Sequence, residues 1–442
     1  MTKTQRIKCG RKPPGWLVAF GLGLSLLWAC EAQFQDDPVP ETTVPGKPHL
    51  VATPHVDRVE LNWGWLTWGS GYRATRAWQA PAGFILMHSK TGTDALTEVA
   101  YLPGDATRYV LSGLAEQQMH YFGLKAFWQT GDTFASNQVA VMAGPQAVPQ
   151  PLFPQAEVSR YWGSWSPLGT QLAYMSEQPQ VAEGLGVYVY DLEEDHETFW
   201  RGGQQPDWSP EGEQLVAITD LAFNRNHPDS SSYLTLLSPG SSTLVNGGEG
   251  HLLHPAWSKD GRWWLYLHKA PTEPDYTLFQ MPVGGTYEPR PLAIPTRELS
   301  ALPRAIERSP AHPRWHPTEP AVVYHRFASK SYLGQELYAQ DIFLFSLTTE
   351  VVMPLIESPW NDTRPVYSPD GRYLAFVSDR SGQPGLWLYV VESQQLRQLY
   401  GRGFPRVDDR HGRLDWAPDG RQILFNAWVN DTLTSLFTLE ID

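Results

Sequence analysis

One pattern of hydrophobic and polar residues recurs six times between residue 165 and the end of the chain. Each copy has an aromatic residue, a turn of the type Ser-Pro-Asp-Gly, and an apolar run that opens seven residues after the aromatic one. Tyr367–Phe376 is the clearest copy, and the aromatic residues that begin the others are Trp165, Trp208, Trp257, Trp315 and Trp416. Pro presets φ in such a turn and Gly adopts the left-handed conformation. Each copy is therefore predicted to be a β-hairpin whose second strand is buried on both faces.

A third apolar segment follows each hairpin, as in Leu386–Tyr389 and Leu436–Leu439. The copies are about 43 to 58 residues apart, which is the size of a repeat with several strands. Because one hairpin cannot bury both of its faces, repetition at this spacing predicts the blades of a β-propeller. The proline-rich segment that begins near Gly144 marks its start, so residues 145–442 are predicted to form six blades.

The sixth blade lacks an evident fourth strand. In the fifth blade this strand is Gln395–Tyr400, whereas residue 442 comes just after the third strand of the sixth blade. Proteins avoid open sheet edges. We therefore expect a segment near Gln150–Val158 to cross over and complete the sixth blade.

Residues 46–144 alternate between apolar and polar positions, as in Val59–Trp63 and Gly83–His88. About seven short strands in a hundred residues predict a β-sandwich, and the chain is predicted to be all-β. The segment resembles a fibronectin type III domain, which implies that Tyr121 forms a tyrosine corner. A long loop, Gly64–Pro81, departs from that pattern and carries four aromatic residues: Trp65, Trp68, Tyr72 and Trp78. They are interpreted as packing on the sandwich or the next domain, the alternative being an exposed patch that binds a sugar or a partner.

The repeats resemble the PD40 or WD40-like repeats of TolB-like six-bladed propellers and of the propellers that precede prolyl oligopeptidase-type hydrolases. The fifth and sixth copies carry the resemblance best, through Tyr367–Arg372 and Trp416–Arg421. The fourth copy, Trp315–Glu319, has lost the Asp-Gly pair. This resemblance implies a fold but no single function, because propellers host many activities.

The first twelve residues include five basic ones. They are followed by an apolar run, Leu17–Trp28, that is too short to span a bilayer. The run ends in Leu-Trp-Ala-Cys, with the cysteine at position 30. This resembles the signal of bacterial lipoproteins, which implies that residues 1–29 are removed and that Cys30 is lipidated; an ordinary cleaved signal is the alternative. Residues 30–45 are then a lipidated tether, acidic and rich in proline. Cys9 is the one other cysteine, so the mature chain has no internal disulfide.

The formal charge excludes one class of partner. With 34 basic and 47 acidic residues the charge is −13, and removal of five basic residues leaves 29 against 47, or −18. Such a balance argues against binding nucleic acid and against an electrostatic grip on anionic lipid. The partners expected are the membrane, through the lipid anchor, and an envelope protein or an anionic polymer.

Catalytic motifs are absent from the sequence. There is no nucleophile elbow, paired-cysteine or zinc-protease motif, phosphate-binding loop or dinucleotide fingerprint. The turn carboxylates Asp260, Asp370 and Asp419 are interpreted as turn residues rather than calcium ligands. We accordingly expect no cofactor and no metal.

One candidate binding site remains, three residues before each marker aromatic. These positions begin the innermost strand of each blade, at the mouth of the predicted channel, and hold Trp162, Gln205, His254, His312, Arg364 and Arg413. Arginine and histidine converging there suit an anionic ligand such as a carboxylate. Alternatively, the arginines pair with Asp207 or Asp415 and the histidines cap backbone groups.

Two functions follow. The first is a non-catalytic, membrane-anchored lipoprotein whose propeller binds a protein or an envelope polymer. The second is an enzyme of the oligogalacturonate-lyase kind, which resembles this chain in fold and would hold a metal through histidines; His251, His254, His312 and His316 are the candidates.

Overall fold

The computed structural model describes most of the chain after the first 47 residues, and the described part is all-β. It comprises residues 48–65, 80–91, 95–144, 147–155, 157–177, 185–220, 232–247, 250–284, 288–292, 294, 311–332, 335–401, 405–409 and 412–441. The predicted signal, Cys30, the tether and the loop residues Trp68, Tyr72 and Trp78 lie outside these ranges. Within the ranges, no helix has the length and apolar character needed to cross a membrane.

Two antiparallel sheets enclose the core of the first folded segment. Their strands are β1 (Pro48–Pro54), β2 (Arg58–Trp65), β3 (Gly83–Ser89), β4 (Thr97–Pro103), β5 (Arg108–Ser112), β6 (Met119–Phe127), β7 (Thr133–Ala135) and β8 (Val139–Met142). One sheet has the order β1-β2-β5, and the other has the order β4-β3-β6-β7, with β8 also paired to β6. Alternate residues of both sheets meet between them, including Leu61, Trp63, Phe84 and Phe122.

The tyrosine-corner prediction is wrong. Phe122 and Leu124 of β6 point into the core, and Tyr121 lies on the opposite face of the strand. Its ring stacks on Trp360 of the following segment, with ring centroids 6.3 Å apart. Because side chains of a strand alternate between faces, an offset of one residue is enough to reverse the role of the tyrosine.

Five four-stranded sheets and a sixth sheet of five short strands follow, and they form a β-propeller. A short strand, β9 (Gln150–Pro151), precedes them. Blades 1 to 3 contain β10 (Arg160–Trp165), β11 (Gln171–Glu177), β12 (Leu185–Asp191), β13 (His196–Gly202), β14 (Gln204–Trp208), β15 (Leu215–Asp220), β16 (Ser232–Ser238), β17 (Ser241–Gly247), β18 (His251–Trp257), β19 (Trp263–Lys269), β20 (Thr277–Pro282) and β21 (Arg290–Pro291). Blades 4 to 6 contain β22 (Ala311–Trp315), β23 (Ala321–Tyr332), β24 (Gln335–Ser346), β25 (Val352–Ile356), β26 (Asp362–Tyr367), β27 (Tyr373–Ser378), β28 (Gly385–Val390), β29 (Gln395–Tyr400), β30 (Arg406–Val407), β31 (Asp415–Trp416), β32 (Gln422–Trp428) and β33 (Thr434–Glu440).

The repeated turn closes each hairpin as the sequence predicts. In blade 5, Gly371 N–H donates to the Ser368 carbonyl, and the Ser368 hydroxyl donates to Asp370 Oδ1 at 2.6 Å. Asp370 also accepts from the backbone N–H of Arg372, and these bonds lower the pKa of Asp370 to about 2. The hydrogen bonds of the turn therefore account for the presence of an ionised Asp370 at this position.

The turns also pack against one another around the ring, which the hairpin pattern alone does not predict. A side chain added at each turn glycine would contact the proline of the preceding blade's turn. The pairs are Gly169 with Pro418, Gly212 with Pro167, Gly261 with Pro210, Gly371 with Pro317, and Gly420 with Pro369. Each of these glycines has a φ between +70° and +76°. Proline and glycine thus shape the turn and also fit it to its neighbour.

The predicted closure of blade 6 is confirmed. Strand β9 pairs antiparallel with β33, with Gln150 opposite Thr438, and Leu152 N–H donates to the Leu436 carbonyl at 3.0 Å. The side chains of Leu152 and Phe153 pack on a cluster shared by blades 1 and 6. The first strand of the segment therefore completes its last sheet.

The sandwich joins the propeller at blade 5. The turn after β27 enters between the edges of β1 and β8: Ser381 O accepts from Ala52 N–H, and Arg380 O accepts from Ala140 N–H. Arg380 itself is buried, forms an ion pair with buried Asp362, and lies 4.9 Å from the Trp387 ring centroid. One turn thus satisfies an edge of each sheet and is anchored inside the blade.

Replacing residues 150–155 by six Gly and Ser residues should destabilise the propeller. The change keeps the chain length but removes the β9 pairing and the Leu152 and Phe153 contacts, so we expect a loss of about 3 kcal/mol in the free energy of unfolding. Denaturant unfolding measures this loss. The control is the replacement of the four exposed turn residues 271–274 by Gly and Ser. Equal midpoints for the two variants would contradict the closing role.

Gly382→Ala should loosen the attachment of the sandwich. Gly382 has a φ of +91°, and an added Cβ would lie 2.3 Å from the Leu50 carbonyl oxygen. Gly131→Ala is the matched control, because Gly131 has a φ of +88° and open space around it. Backbone strain costs each variant about 1 kcal/mol, and the collision should cost Gly382→Ala about 2 kcal/mol more. Thermal unfolding and limited proteolysis between the segments test the difference; equal effects would show that the turn does not hold the sandwich.

Candidate functional site: the propeller channel

The inner strands of blades 1 to 5 each contain a β-bulge. Two residues there oppose one on the next strand, and the first of the two has a positive φ. These first residues are Trp162, Gln205, His254, His312 and Arg364, with φ between +48° and +58°. In four of the five blades the second is proline, which suits a bulge because it has no N–H to offer the ladder. The bulge turns each of these five side chains away from its own blade.

Side chains of one blade cap the bulge of the next. His254 N–H donates to Gln205 Oε1 at 2.7 Å, and His312 N–H donates to His254 Nδ1 at 3.0 Å. In the same way Trp162 N–H donates to Asn426 Oδ1 at 3.2 Å. The backbone groups that the bulges remove from the ladders are thereby paired across blade boundaries.

The rings of the channel form a continuous stack. Trp162 and His254 have ring centroids 5.0 Å apart, His254 and His312 are 4.3 Å apart, and His312 and His325 are 5.3 Å apart. Burial lowers the pKa of His254 to about 3, and burial also holds the pKa values of His312 and His325 well below their ordinary value. Nearby arginines act in the same direction. The stack is therefore neutral at pH 7.

Two arginines share one buried carboxylate at the centre. Arg314 Nη1 donates to Asp207 Oδ1 at 3.0 Å, and Arg413 Nη2 forms an ion pair with the same oxygen at 2.8 Å. Asp207 Oδ2 accepts from Trp257 N–H. Burial raises the pKa of Asp207, but the two arginines outweigh it and the net pKa is lowered. Asp207 thus remains a carboxylate that links blades 2, 3, 4 and 6.

Arg364 is bound to backbone instead. Its Nε donates to the Gly412 carbonyl at 2.8 Å and its Nη2 to the Asp409 carbonyl at 2.7 Å. Its own N–H donates to His325 Nδ1. Its guanidinium group therefore holds the interrupted inner strand of blade 6 in place.

The structure thus brings most of the predicted site residues together. Trp162, His254, His312, Arg364 and Arg413 line one cavity. Trp162, Arg364 and Arg413 are buried, so they lie within the channel rather than at its open mouth. Gln205 is not in contact with the cavity itself but accepts the backbone N–H of His254. The contacts are those of the second interpretation, in which arginine pairs with Asp207 and histidine caps backbone. Binding of a ligand stays a prediction.

Two residues of this site were missed, Arg314 and His325. Arg314 stands one position before its marker aromatic, where blades 2 and 6 hold Asp207 and Asp415. The same position of the repeat thus carries a charge of alternating sign in blades 2, 4 and 6, and this pattern could have been found in the sequence. His325 lies on the second strand of blade 4, and nothing in the repeat marks it.

The four histidines proposed as metal ligands do not form one set. His316 caps the blade 4 turn, where its Nδ1 accepts from Glu319 N–H at 3.0 Å, and its ring contacts Tyr367. His312 stands four residues earlier at the other end of β22, roughly 13 Å away along an extended strand. Within the described residues, no group of three or more potential ligands has the geometry to hold a metal.

The loop aromatics were predicted as a docking or partner patch. Of the four, only the backbone of Trp65 falls within the described residues, at the end of β2. The patch stays a prediction.

Comparisons with known proteins bear on the fold. No protein-family model matches the chain. An uncharacterised protein of Agrobacterium fabrum is 24% identical over 232 residues, which cover 52% of this chain and 67% of that protein. TolB from Acinetobacter baumannii aligns with a TM-score of 0.44 and 13% identity, over 73% of this chain and 77% of its own. An oligogalacturonate lyase from Vibrio parahaemolyticus aligns with a TM-score of 0.46 and 12% identity, over 90% of this chain and 99% of its own. None of these likenesses identifies the function of the chain.

Acid should destabilise the protein through the channel histidines. Because the pKa of His254 falls from 6.5 to about 3 on folding, the unfolded chain binds more protons between these values, and stability decreases as the pH falls through that window. His254→Asn keeps an acceptor but does not titrate. Between pH 6.5 and 5 it should lose about 2 kcal/mol less stability than the wild type. Denaturant unfolding at both pH values measures this, with exposed His196→Asn as the control; equal losses in wild type and His254→Asn would contradict it.

Proposed function

We propose that the chain is an exported, lipid-anchored protein of the cell envelope whose propeller binds a protein partner or an anionic envelope polymer without catalysis. One observation carries the non-catalytic part. In the channel, Asp207 holds one nitrogen of each of two arginines, and His254 and His325 each accept a backbone N–H, so these side chains are committed to the fold. A general acid or base at pH 7 needs a pKa near that pH and access to substrate. His325 is buried, and the pKa values of His254, His312 and His325 all lie below the range that this role requires.

The same contacts disfavour the alternative, a lyase with a histidine-held metal. A histidine nitrogen that accepts a backbone N–H cannot use the same lone pair for a metal. This applies to Nδ1 of His254 and of His325. Three candidates remain. His251 and His316 stand at other points of their blades, and His312 lies against His254, whose Nδ1 is already engaged.

Each segment of the chain is assigned one role in this proposal. Cys30 anchors the protein, and residues 30–45 act as a tether. The two-sheet segment is assigned as a fibronectin type III domain, which its two antiparallel sheets of three and five strands support. It contacts the propeller through the turn after β27, so the other face of the propeller, which carries the repeated Ser-Pro-Asp-Gly turns (the turn face), is proposed to meet the partner.

Lipidation at Cys30 is the step that places the protein in the envelope. In cells fed a labelled fatty acid, wild type and Cys9→Ser should both carry label and sediment with membranes, because Cys9 lies in the segment that is removed. Cys30→Ser should lose the label and leave the membrane fraction. A labelled Cys30→Ser protein, or an unlabelled wild type, would refute the anchor.

Two further outcomes bear on the propeller. A cross-link from the turn face of anchored wild type to one envelope component, lost on competition with purified propeller, supports binding. Release of unsaturated products from oligogalacturonate by the purified protein would instead establish the lyase.

A further inference from the structure

Five buried nitrogen atoms of four residues line the channel cavity without a hydrogen-bond partner among the described residues. They are Trp162 Nε1, His312 Nδ1, Arg314 Nη2 and both Nη atoms of Arg413, of which Nη2 forms the ion pair with Asp207. Trp162 is 5% exposed and Arg413 is 3% exposed, so bulk water does not serve them. Leaving several such groups unpaired is costly, and their convergence on one cavity indicates a shared ligand.

Donors outnumber acceptors at this point. The indole N–H and the guanidinium groups can only donate, and His312 Nδ1 accepts only in one of its two tautomers. A water molecule accepts two hydrogen bonds and must also place its own two hydrogens. An anion accepts from the indole and from both guanidinium groups, and from His312 in the tautomer that carries its hydrogen on Nδ1, so it satisfies the set better than water does.

The neighbouring carboxylates do not meet this demand. Asp207 Oδ1 faces the other guanidinium nitrogens, Arg314 Nη1 and Arg413 Nη2, and its Oδ2 is held by Trp257 N–H. Asp415 stays 3.9 Å from both arginines, and its Oδ2 accepts from Trp165 N–H. Burial raises the pKa of Asp415, which further weakens its hold on them. One side of each guanidinium group is left to a ligand.

The cavity limits the size of that ligand. The lining leaves room for about one water-sized species. A small ion meets that limit, whereas a large polyatomic anion such as gluconate exceeds it.

We propose that this cavity binds a small monovalent anion of the size of chloride between Trp162, Arg314 and Arg413. The anion would join blades 1, 4 and 6 across the channel and act as a structural element of the closed ring. This goes beyond the proposed function, because it holds whether or not the propeller face meets a partner.

The test compares the thermal unfolding of the purified mature chain in sodium chloride and in sodium gluconate at equal ionic strength. Gluconate is too large for the cavity. We expect the midpoint in chloride to be higher by about 2 °C or more, and bromide to act like chloride. Identical midpoints in the two salts would overturn the proposal.

Trp162→Phe locates the effect, because it keeps a ring in the stack and removes the N–H donor. Trp63→Phe is the matched control: Trp63 Nε1 is also buried and unpaired, but it lies in the sandwich core. The chloride effect should disappear in Trp162→Phe and persist in Trp63→Phe, and its persistence in both would overturn the site.

Bromide-soaked crystals of the wild type give a readout that does not depend on a folded variant. An anomalous peak in the channel within hydrogen-bond distance of Trp162 Nε1 supports the site. A peak absent there, with ordered water in the cavity instead, would overturn it.

Discussion

A single carboxylate, Asp207, is the point on which the propeller depends. One of its oxygens contacts arginines from blades 4 and 6, and the other accepts the backbone N–H of Trp257 in blade 3. Sheets of a propeller share no ladder hydrogen bonds with their neighbours, so such contacts are what fix the blades relative to one another. Removing one partner of a buried ion pair leaves an uncompensated charge and typically costs about 3–5 kcal/mol. The carboxylate therefore determines the geometry of the ring as well as its stability.

The same constraint shapes what the channel can do. Bulges bring polar side chains into the centre, and burial there keeps histidines neutral while arginines consume the available acceptors. A site arranged in this way is rigid and preorganised, but it offers a substrate neither a titrating group nor free volume. Recognition of a large partner must then use the outer faces, whereas the interior suits at most one small ion.

Much of this could be predicted from the sequence, because the repeat sets register. The hairpins, the third strands and the closing segment near Gln150 follow from the spacing of aromatic residues and turns, and the same spacing identifies the column of residues that enters the channel. How deeply these side chains lie in the channel could not be predicted. It depends on a β-bulge with a positive φ, and the residue types at that position do not indicate one. Arg314 and His325 were missed because their importance arises only where blades meet. Tyr121 was assigned wrongly because its strand is offset by one position.

The closure of blade 6 has a consequence for how the protein is made. Thr438 pairs with Gln150, which precedes it by 288 residues, so the ring depends on one of the longest-range contacts in the chain. The sandwich and the early blades can fold before β33 is available, but the ring of blades stays open until β33 pairs with β9. Until then β9 is a short strand without a partner, next to blade 1. Its two residues offer little surface for wrong pairing, and a closing strand this brief keeps the nascent propeller from joining a neighbouring chain.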